Sequence, residues 1–265
     1  MCGNFENMSQ TVGIVVPTMG RRIEYLTECL QSIRAQENVL IYIVSPEMQI
    51  IKDSIKSDLY DGLIPDPLAG LSAAIDLGIR SFPDHITYVS WLGDDDKLTE
   101  DSTKICLSEL SSNSNVIMVY GACQYIDSKS NVFWTNSSGR LAVWLMKFGP
   151  QLVSQPGTVF RRDAYNALGG LDVNLKWAFD LDLFIRIMAA GTINFTPHVL
   201  AQFRWHDGSL SVGARRGSVR EASYVRRKYL HRSIKPISIL WEIPMRFLIL
   251  HAATFVNLKT RTKSS

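Results

Sequence analysis

The fold of this chain is indicated most directly by the segment Ile86-Thr87-Tyr88-Val89-Ser90-Trp91-Leu92-Gly93-Asp94-Asp95-Asp96. The largely apolar run before Gly93 predicts a buried strand, and three adjacent carboxylates follow it directly. In open α/β sheets, ligands bind beyond the carboxyl ends of the strands. Adjacent carboxylates repel one another unless a cation or basic groups neutralise them, and such oxygen ligands suit Mg²⁺ or Mn²⁺. The segment therefore predicts a ligand-binding sheet edge, with a solvated acidic turn that caps the next helix as the alternative.

Strands and helices alternate on both sides of this segment. Hydrophobic periodicity predicts strands at 12–16, 39–44, 86–92 and 116–120, and helices at 23–33, 70–80 and 99–110. After Gly121 the pattern changes to a hairpin around 127–131, a strand at 157–160, a helix at 181–188 and a β-type run at 198–204. The alternation in the first half is typical of βαβ units and predicts an α/β fold with a mainly parallel central sheet flanked by helices.

Composition excludes several classes of protein. The 265 residues are 46% hydrophobic and 20% charged, which excludes long disorder and fibrous structure. The four cysteines have no paired spacing, so we expect reduced, mostly buried thiols, a cytoplasmic location and no zinc site. The first ten residues lack a basic and an apolar region, so we expect no secretory signal peptide.

The charge is uneven along the chain. The formal net charge is +3, but residues 204–265 carry +10 and the remainder carries −7. The stretch 237–258 has about the length of a membrane-spanning helix, but Glu242, Arg246 and Pro244 interrupt it. We expect an amphipathic helix that lies on a surface, either an anionic membrane or a second subunit, with packing on the body of the protein as the alternative.

A second carboxylate pair, Asp180 and Asp182, begins the helix predicted at 181–188. Negative charge is favourable at a helix N-terminus, so a purely structural role explains both residues. The functional interpretation is that one of them is a general base, because a carboxylate within hydrogen-bonding reach takes a proton from an attacking hydroxyl.

Five segments in order carry a resemblance to a known family. They are Val15-Val16-Pro17-Thr18 with Arg21 or Arg22, Gly70–Ile79, Trp91–Asp96, the block Gln155–Arg162 with Gly169–Asp172 and Phe179–Arg186, and Phe203–Ser211. Together they resemble the P-T-x-x-R, G-L-x-D-A-x-N-x-G-I, DxD, Q-P-x-x-F-x-R-R with D-x-D-L-W-x-R, and R-x-H-x-x-S signatures of family 2, GT-A fold, nucleotide-sugar glycosyltransferases. The resemblance covers about residues 11–211.

The resemblance implies an organisation and an activity. A GT-A domain is expected at 1–211, followed by a helical, basic C-terminal extension at 212–265. The implied reaction is a metal-dependent, inverting transfer, of hexosyltransferase type, from a nucleoside-diphosphate sugar to a hydroxyl of a saccharide or lipid-linked acceptor. The implied setting is cell-surface polysaccharide or glycolipid synthesis at the inner face of the cell membrane. No nucleic-acid partner is expected, since no aromatic-interleaved basic pattern is present.

The resemblance also implies a set of site residues. Asp180 matches the catalytic base, and Asp182 orients the site or caps the helix. The implied ligands of Mn²⁺ or Mg²⁺ are Asp95, Asp96 and His206. Gly93 stands where the family often has its first Asp, so Asp94 and Asp95 stay alternatives as the main ligand. The implied nucleotide-sugar-binding residues are Pro17, Thr18, Arg21, Ser45, Glu47, Asp94, Gln155 and Trp177.

Two departures leave an alternative open. The second strand ends in Val44-Ser45-Pro46-Glu47 rather than an Asp-rich turn, and Ala73 replaces the Asp of the G-L-x-D-A helix. A catalytically weak, GT-A-like nucleotide-sugar-binding or scaffold subunit is therefore the second hypothesis. A nucleotidyltransferase is the third hypothesis, for which Gly20-Arg21-Arg22 is a weak indication. The absence of a P-loop and of a GxGxxG motif disfavours kinases and Rossmann dehydrogenases.

Overall fold

One sheet organises the part of the chain that the computed structural model describes, residues 11–205 and 215–247. Within these ranges it has nine strands in the order β3-β2-β1-β4-β8-β6-β9-β5, and β7 pairs with β6 beside this row. The strands are β1 (Val12–Pro17), β2 (Val39–Ser45), β3 (Gly62–Pro65), β4 (Tyr88–Trp91), β5 (Lys97–Leu98), β6 (Val116–Ile126), β7 (Val132–Asn136), β8 (Val159–Arg161) and β9 (Thr192–Arg204).

The helices cover both faces of this sheet. They are α1 (Ile23–Arg34), α2 (Met48–Ser54), α3 (Leu71–Arg80), α4 (Ser102–Ser112), α5 (Leu141–Leu145), α6 (Arg162–Ala167), α7 (Phe179–Ala190) and α8 (Arg215–Tyr229). A short 3₁₀ turn spans Ser57–Leu59, and residues 239–247 are helical. No helix in the described ranges is both long enough and apolar enough to cross a bilayer.

The parallel half of the sheet follows from the apolar strands β1 and β2. Strand β1 is buried along its whole length and pairs in parallel with β2 and β4, while β2 pairs in parallel with β3. Successive side chains of β1 face opposite sides of the sheet, so Ile14 packs in the core on the α1 side and Val15 in the core on the α3 side. This arrangement brings the carboxyl ends of β1, β2 and β4 to one edge.

Strands β6 and β9 are longer than the sequence pattern predicts, and they pair in parallel. Gly121 lies within β6 rather than at its end. A glycine is required there because a Cβ would lie 2.5 Å from Leu200 Cγ of the neighbouring strand. The register shifts beside Gly121, opposite the segment of β9 that contains Pro197. Proline lacks the amide donor of a regular ladder, so the irregularity lets β9 continue past it.

The predicted α/β fold class is confirmed, with corrections of detail. The predicted hairpin forms, with β6 and β7 antiparallel and Ile126 opposite Val132. Helix α2 and the short strand β3 carry too few residues to give a periodic signal, and the sequence analysis missed both. Cys29, Cys106 and Cys123 are buried and unpaired, as expected. The predicted domain boundary at 211/212 lies outside the described residues and stays a prediction.

Candidate functional site

The first part of the site joins the carboxyl ends of β1 and β4. The parallel register places Val15 opposite Trp91, so the residues that follow each strand emerge side by side. The Thr18 hydroxyl donates a hydrogen bond of 2.5 Å to Asp94 Oδ2, and the Gly20 amide donates to the Thr18 hydroxyl at 3.1 Å. Two of the predicted donor-binding residues, Thr18 and Asp94, are therefore in direct contact.

Asp95 and Asp96 are each in contact with an arginine. Arg22 Nη1 lies 3.3 Å from Asp95 Oδ2, and the Arg204 backbone amide donates to Asp96 Oδ1 at 2.9 Å. Asp96 is buried, and burial, together with the nearby Asp95 and Asp94 carboxylates, raises its pKa well above the ordinary value. Burial and the two neighbouring carboxylates therefore disfavour the ionised form of Asp96.

The other oxygens of these two carboxylates point to one place, beside Gly93. A Cβ built on Gly93 would lie 3.0 Å from Asp96 Oδ2 and 3.1 Å from Asp95 Oδ1. Carboxylate oxygens are preferred ligands of Mg²⁺ and Mn²⁺, which usually complete their shells with water and substrate phosphates. Among the described residues, no group of three or more His, Cys, Asp or Glu side chains is arranged to hold a metal ion. Asp95 and Asp96 therefore offer such a cation two oxygens, and water or substrate phosphates would complete its shell. His206 lies outside the described residues.

Arg204 is a buried charged residue of this edge to which the sequence analysis gave no role. Its side chain is fully buried, and its Nε donates to the Asp95 backbone oxygen at 2.9 Å. Its Nη2 lies 2.7 Å from Glu28 Oε2, and the guanidinium stacks over the Tyr25 ring at 4.3 Å from the centroid. A buried arginine in an apolar strand requires such partners, because an unpaired buried charge is costly. Its position at the end of an apolar run, just before Trp205 and His206, was the available signal.

Asp180 occupies the first turn of α7, as predicted. Gln151 Nε2 donates to Asp180 Oδ2 at 2.6 Å, and the Leu181 amide donates to Oδ1 at 2.7 Å. Burial raises the pKa of Asp180 from 3.8 to about 6, and these hydrogen bonds limit the rise. The preceding residue, Phe179, packs against Trp91 at the end of β4, with 6.4 Å between ring centroids. The end of β4 and the start of α7, which carry the two carboxylate segments, are therefore in contact through these aromatic side chains.

Asp182 has a different environment from Asp180. It is fully buried, and its two oxygens contact basic and hydroxyl groups. Arg186 Nη2 lies 2.7 Å from Oδ2, whereas Lys228 Nζ and the Tyr229 hydroxyl lie 3.0 Å and 2.8 Å from Oδ1. These contacts attach α8 to α7. They are those of a structural anchor, and the catalytic role predicted for Asp182 stays a prediction.

The remaining predicted donor-binding residues lie on four parts of the fold. Pro17 ends β1, and Arg21 is exposed in the following turn. Ser45 is buried at the end of β2, where its hydroxyl accepts a hydrogen bond of 3.1 Å from the Glu47 amide.

Glu47 itself lies beside the turn after β1, because a Cβ on Gly20 would be 3.2 Å from Glu47 Cβ. Gln155 Nε2 donates to the Trp91 carbonyl at 2.8 Å. The indole of Trp177 packs against Gly217 of α8. The predicted donor-binding set is therefore distributed over the ends of β1, β2 and β4 and over the turn before α7.

Solved structures share this architecture. The chain superposes on S. aureus TarS 1-349 in complex with UDP-GlcNAc with a TM-score of 0.61 and 12% identity, covering 85% of this chain and 69% of that one. It superposes on the mannosyltransferase PcManGT from Pyrobaculum calidifontis, in complex with GDP-Man and Mn²⁺, with a TM-score of 0.60 and 17% identity, covering 92% and 74%. The chain has a GT-A-like fold.

Sequence comparison adds a distant relationship to this GT-A-like fold. An uncharacterized glycosyltransferase of Rickettsia typhi is 23% identical over 210 residues, which is 75% of this chain and 65% of the relative. The chain thus spans 65% of the length of this curated relative. No protein-family profile matches the chain.

Proposed function

We propose that this protein is an inverting, family 2 glycosyltransferase that moves a sugar from a nucleoside diphosphate to an acceptor hydroxyl. The observation that carries the proposal is the contact between Trp91 and Phe179, because it brings the carboxylates after β4 to the carboxylate that begins α7. Two structures with the same fold are complexes with UDP-GlcNAc and GDP-Man, which supports a nucleotide-sugar donor here.

The donor lies, in this proposal, over the carboxyl ends of β1, β2 and β4. Thr18, Ser45 and Glu47 surround the turn that follows β1 and contribute hydrogen-bonding groups for the nucleoside. Arg21 supplies positive charge for the diphosphate, and the Asp94 carboxylate is fixed in place by Thr18. Pro17, Gln155 and Trp177 shape the same edge, Gln155 through its hydrogen bond to the Trp91 carbonyl.

Asp95 and Asp96 are the residues proposed to hold Mn²⁺ or Mg²⁺, with His206 as a third ligand. Such a cation supplies charge stabilisation for the departing diphosphate oxygens. The structure of PcManGT contains Mn²⁺, which supports the choice of a divalent ion. We assign Arg22, which contacts Asp95, the role of balancing the negative charge of the leaving group.

Asp180 is the proposed general base. Its carboxylate takes the proton of the acceptor hydroxyl as the hydroxyl oxygen bonds to the anomeric carbon and the bond from that carbon to the diphosphate oxygen breaks. A pKa of about 6 leaves the carboxylate mostly ionised at neutral pH while making it a stronger base than an exposed aspartate. Gln151 orients the carboxylate through its hydrogen bond. We assign Asp182 a positioning role, since it anchors α8 to the same helix.

The proposed acceptor side is an anionic membrane surface at the cytoplasmic face. Exposed apolar side chains of α5 and of residues 237–247 form one patch, since Phe148, just after α5, packs against Trp241 at 6.4 Å between ring centroids. Basic residues of the same C-terminal region supply attraction to anionic lipid. The exposed apolar residues are Leu141, Trp144, Ile237, Ile239, Leu240, Ile243 and Phe247.

The experiment that tests the function is release of nucleoside diphosphate from a panel of UDP-, GDP- and dTDP-sugars, with Mn²⁺, with Mg²⁺ and with EDTA. We expect metal-dependent release from one donor, its loss in Asp95→Ala, and loss of turnover with retained donor binding in Asp180→Asn. Asp58→Asn is the matched control, because Asp58 is exposed in the turn Ser57–Leu59 before β3. Saturable donor binding without turnover would favour the scaffold alternative, and full turnover in Asp180→Asn would exclude it as the base.

Membrane binding has a separate test. Co-sedimentation with vesicles of phosphatidylglycerol and phosphatidylcholine should exceed that with phosphatidylcholine alone, and Trp144→Ser with Phe247→Ser should weaken it. Equal binding to both vesicles, or a dimer in solution that these substitutions dissociate, would contradict the membrane assignment and identify the patch as a subunit interface.

A further inference from the structure

The turn that leads into α7 is held by a side chain from a different helix. The carboxylate of Glu221, on α8, accepts three backbone hydrogen bonds: from Lys176 at 3.0 Å to Oε1, and from Trp177 at 2.6 Å and Ala178 at 2.7 Å to Oε2. These three amides lie in the turn before α7, and only that of Ala178 belongs to the helix end, where a carboxylate is also favoured by the helix dipole. Ala178 is the residue directly before α7, so Glu221 fixes the point where this helix begins.

Two further contacts hold α8 to the same region. The Trp177 ring packs closely on Gly217, where a Cβ would lie 2.8 Å from the indole. One turn into α7, Lys228 and Tyr229 contact the buried Asp182. Helix α8 therefore touches α7 both before and after Asp180.

Asp180 lies two residues after the last amide that Glu221 holds. The charged groups around this turn are Glu221 and Lys228 of α8, and Asp182 with Arg186 of α7, while Gln151 provides a neutral donor to Asp180 itself. The negative charge of Glu221 raises the pKa of Asp180, as a smaller contribution added to that of burial. No other acidic residue lies on α8.

We propose that Glu221 is a positioning residue for Asp180: by holding the amides of residues 176–178 it sets where the catalytic turn begins, so that docking of α8 completes the active site. The effect of Glu221 on catalysis by Asp180 rests on the proposed function. The structural part, the capping of the turn by Glu221, is independent of it.

The test uses three substitutions in the full chain. Glu221→Ala removes all three acceptor contacts, whereas Glu221→Gln removes the charge and keeps one acceptor oxygen. Glu37→Gln is the matched control, because Glu37 is exposed between α1 and β2, at the amino edge of the parallel strands. Donor turnover is measured against pH, and amide hydrogen exchange is followed in the peptide that covers residues 176–182.

We expect Glu221→Ala to lower kcat between about tenfold and a hundredfold with a smaller change in donor KM, because misplacing a catalytic group by about 1 Å has effects of this size. Glu221→Gln should retain more activity than Glu221→Ala. The acid limb of its pH–rate profile, where turnover falls as pH decreases, should move to lower pH, since removing a negative charge favours ionised Asp180. In both variants the amides of 176–178 should exchange faster than in wild type, and Glu37→Gln should match wild type in every measurement.

Unchanged exchange at 176–178 in Glu221→Ala would overturn the proposal, whether or not turnover is detected. Faster exchange with wild-type kcat and an unmoved acid limb would equally overturn it. A wild-type protein without turnover on any donor would instead refute the proposed function, and the exchange data would then decide the capping by Glu221 alone.

Discussion

Replacing Asp180 by Asn should stabilise the folded protein at neutral pH while it removes activity. The pKa of Asp180 rises from 3.8 to about 6 in the folded state, mainly through burial. A carboxyl with a raised folded pKa favours folding when protonated, so its contribution is present below pH 3.8 and is lost as pH rises through 6. A shift of about two pKa units corresponds to about 3 kcal/mol.

The net gain is smaller than this shift, because asparagine keeps only one acceptor oxygen. Wild-type Asp180 accepts from both Gln151 and the Leu181 amide, and loss of one such bond costs about 1 kcal/mol. The variant should therefore be about 2 kcal/mol more stable at pH 7.

Urea unfolding of wild type and Asp180→Asn at half-unit intervals from pH 3.5 to 7.5 measures this difference. The signature is its pH dependence: the advantage of the variant should grow between about pH 4 and pH 6.5 and then level off. A constant difference over this interval would mean that Asp180 titrates alike in the folded and unfolded chains, which contradicts the raised pKa. Asp58→Asn, at an exposed position, is the control.

Three further predictions follow from the same edge of the sheet. Turnover should fall on the acid side with a midpoint near pH 6, the pKa of Asp180, so a pH–rate profile should give at pH 5 about one tenth of the plateau; a midpoint near pH 4 would argue against Asp180 as base. Arg204→Met should destabilise the protein by about 2 kcal/mol in urea unfolding, because it removes the hydrogen bonds from a buried guanidinium to the Asp95 carbonyl and to the partly exposed Glu28, and a change below about 0.5 kcal/mol would contradict that role. Gly93→Ala should weaken Mn²⁺ binding in isothermal titration calorimetry, because the alanine Cβ would occupy the space between the Asp95 and Asp96 oxygens. Unchanged affinity would indicate that the metal binds elsewhere.

The sequence predicted best what depends on local pattern. Alternating apolar strands and amphipathic helices identified β1, β2, β4 and α3, and the fold class followed from their order. Strand β6 was cut short at Gly121, because the reason for a glycine there is Leu200 on another strand, and no local pattern contains that contact. The short elements α2 and β3 gave too few residues for a period.

The site divides in the same way. Asp94, Asp95, Asp96 and Asp180 could be selected from the sequence because they follow or begin a recognisable element. Their differences could not: Asp180 and Asp182 are two residues apart, yet one faces Gln151 and the other is enclosed by α8. Glu221 had no motif at all, since its three partners are amides more than 40 residues away in the chain.

The contacts of Arg204 have a consequence for how the chain folds. Its guanidinium reaches Glu28, 176 residues earlier, and the Asp95 carbonyl, 109 residues earlier. Strand β4, which carries the acidic segment, is likewise paired with β1 and with β8, both distant in sequence. Chains whose native contacts are this non-local fold slowly, since loop closure must precede the gain from pairing. During synthesis, the acidic segment after β4 leaves the ribosome long before Arg204, so this edge of the sheet cannot be completed until β9 has been made.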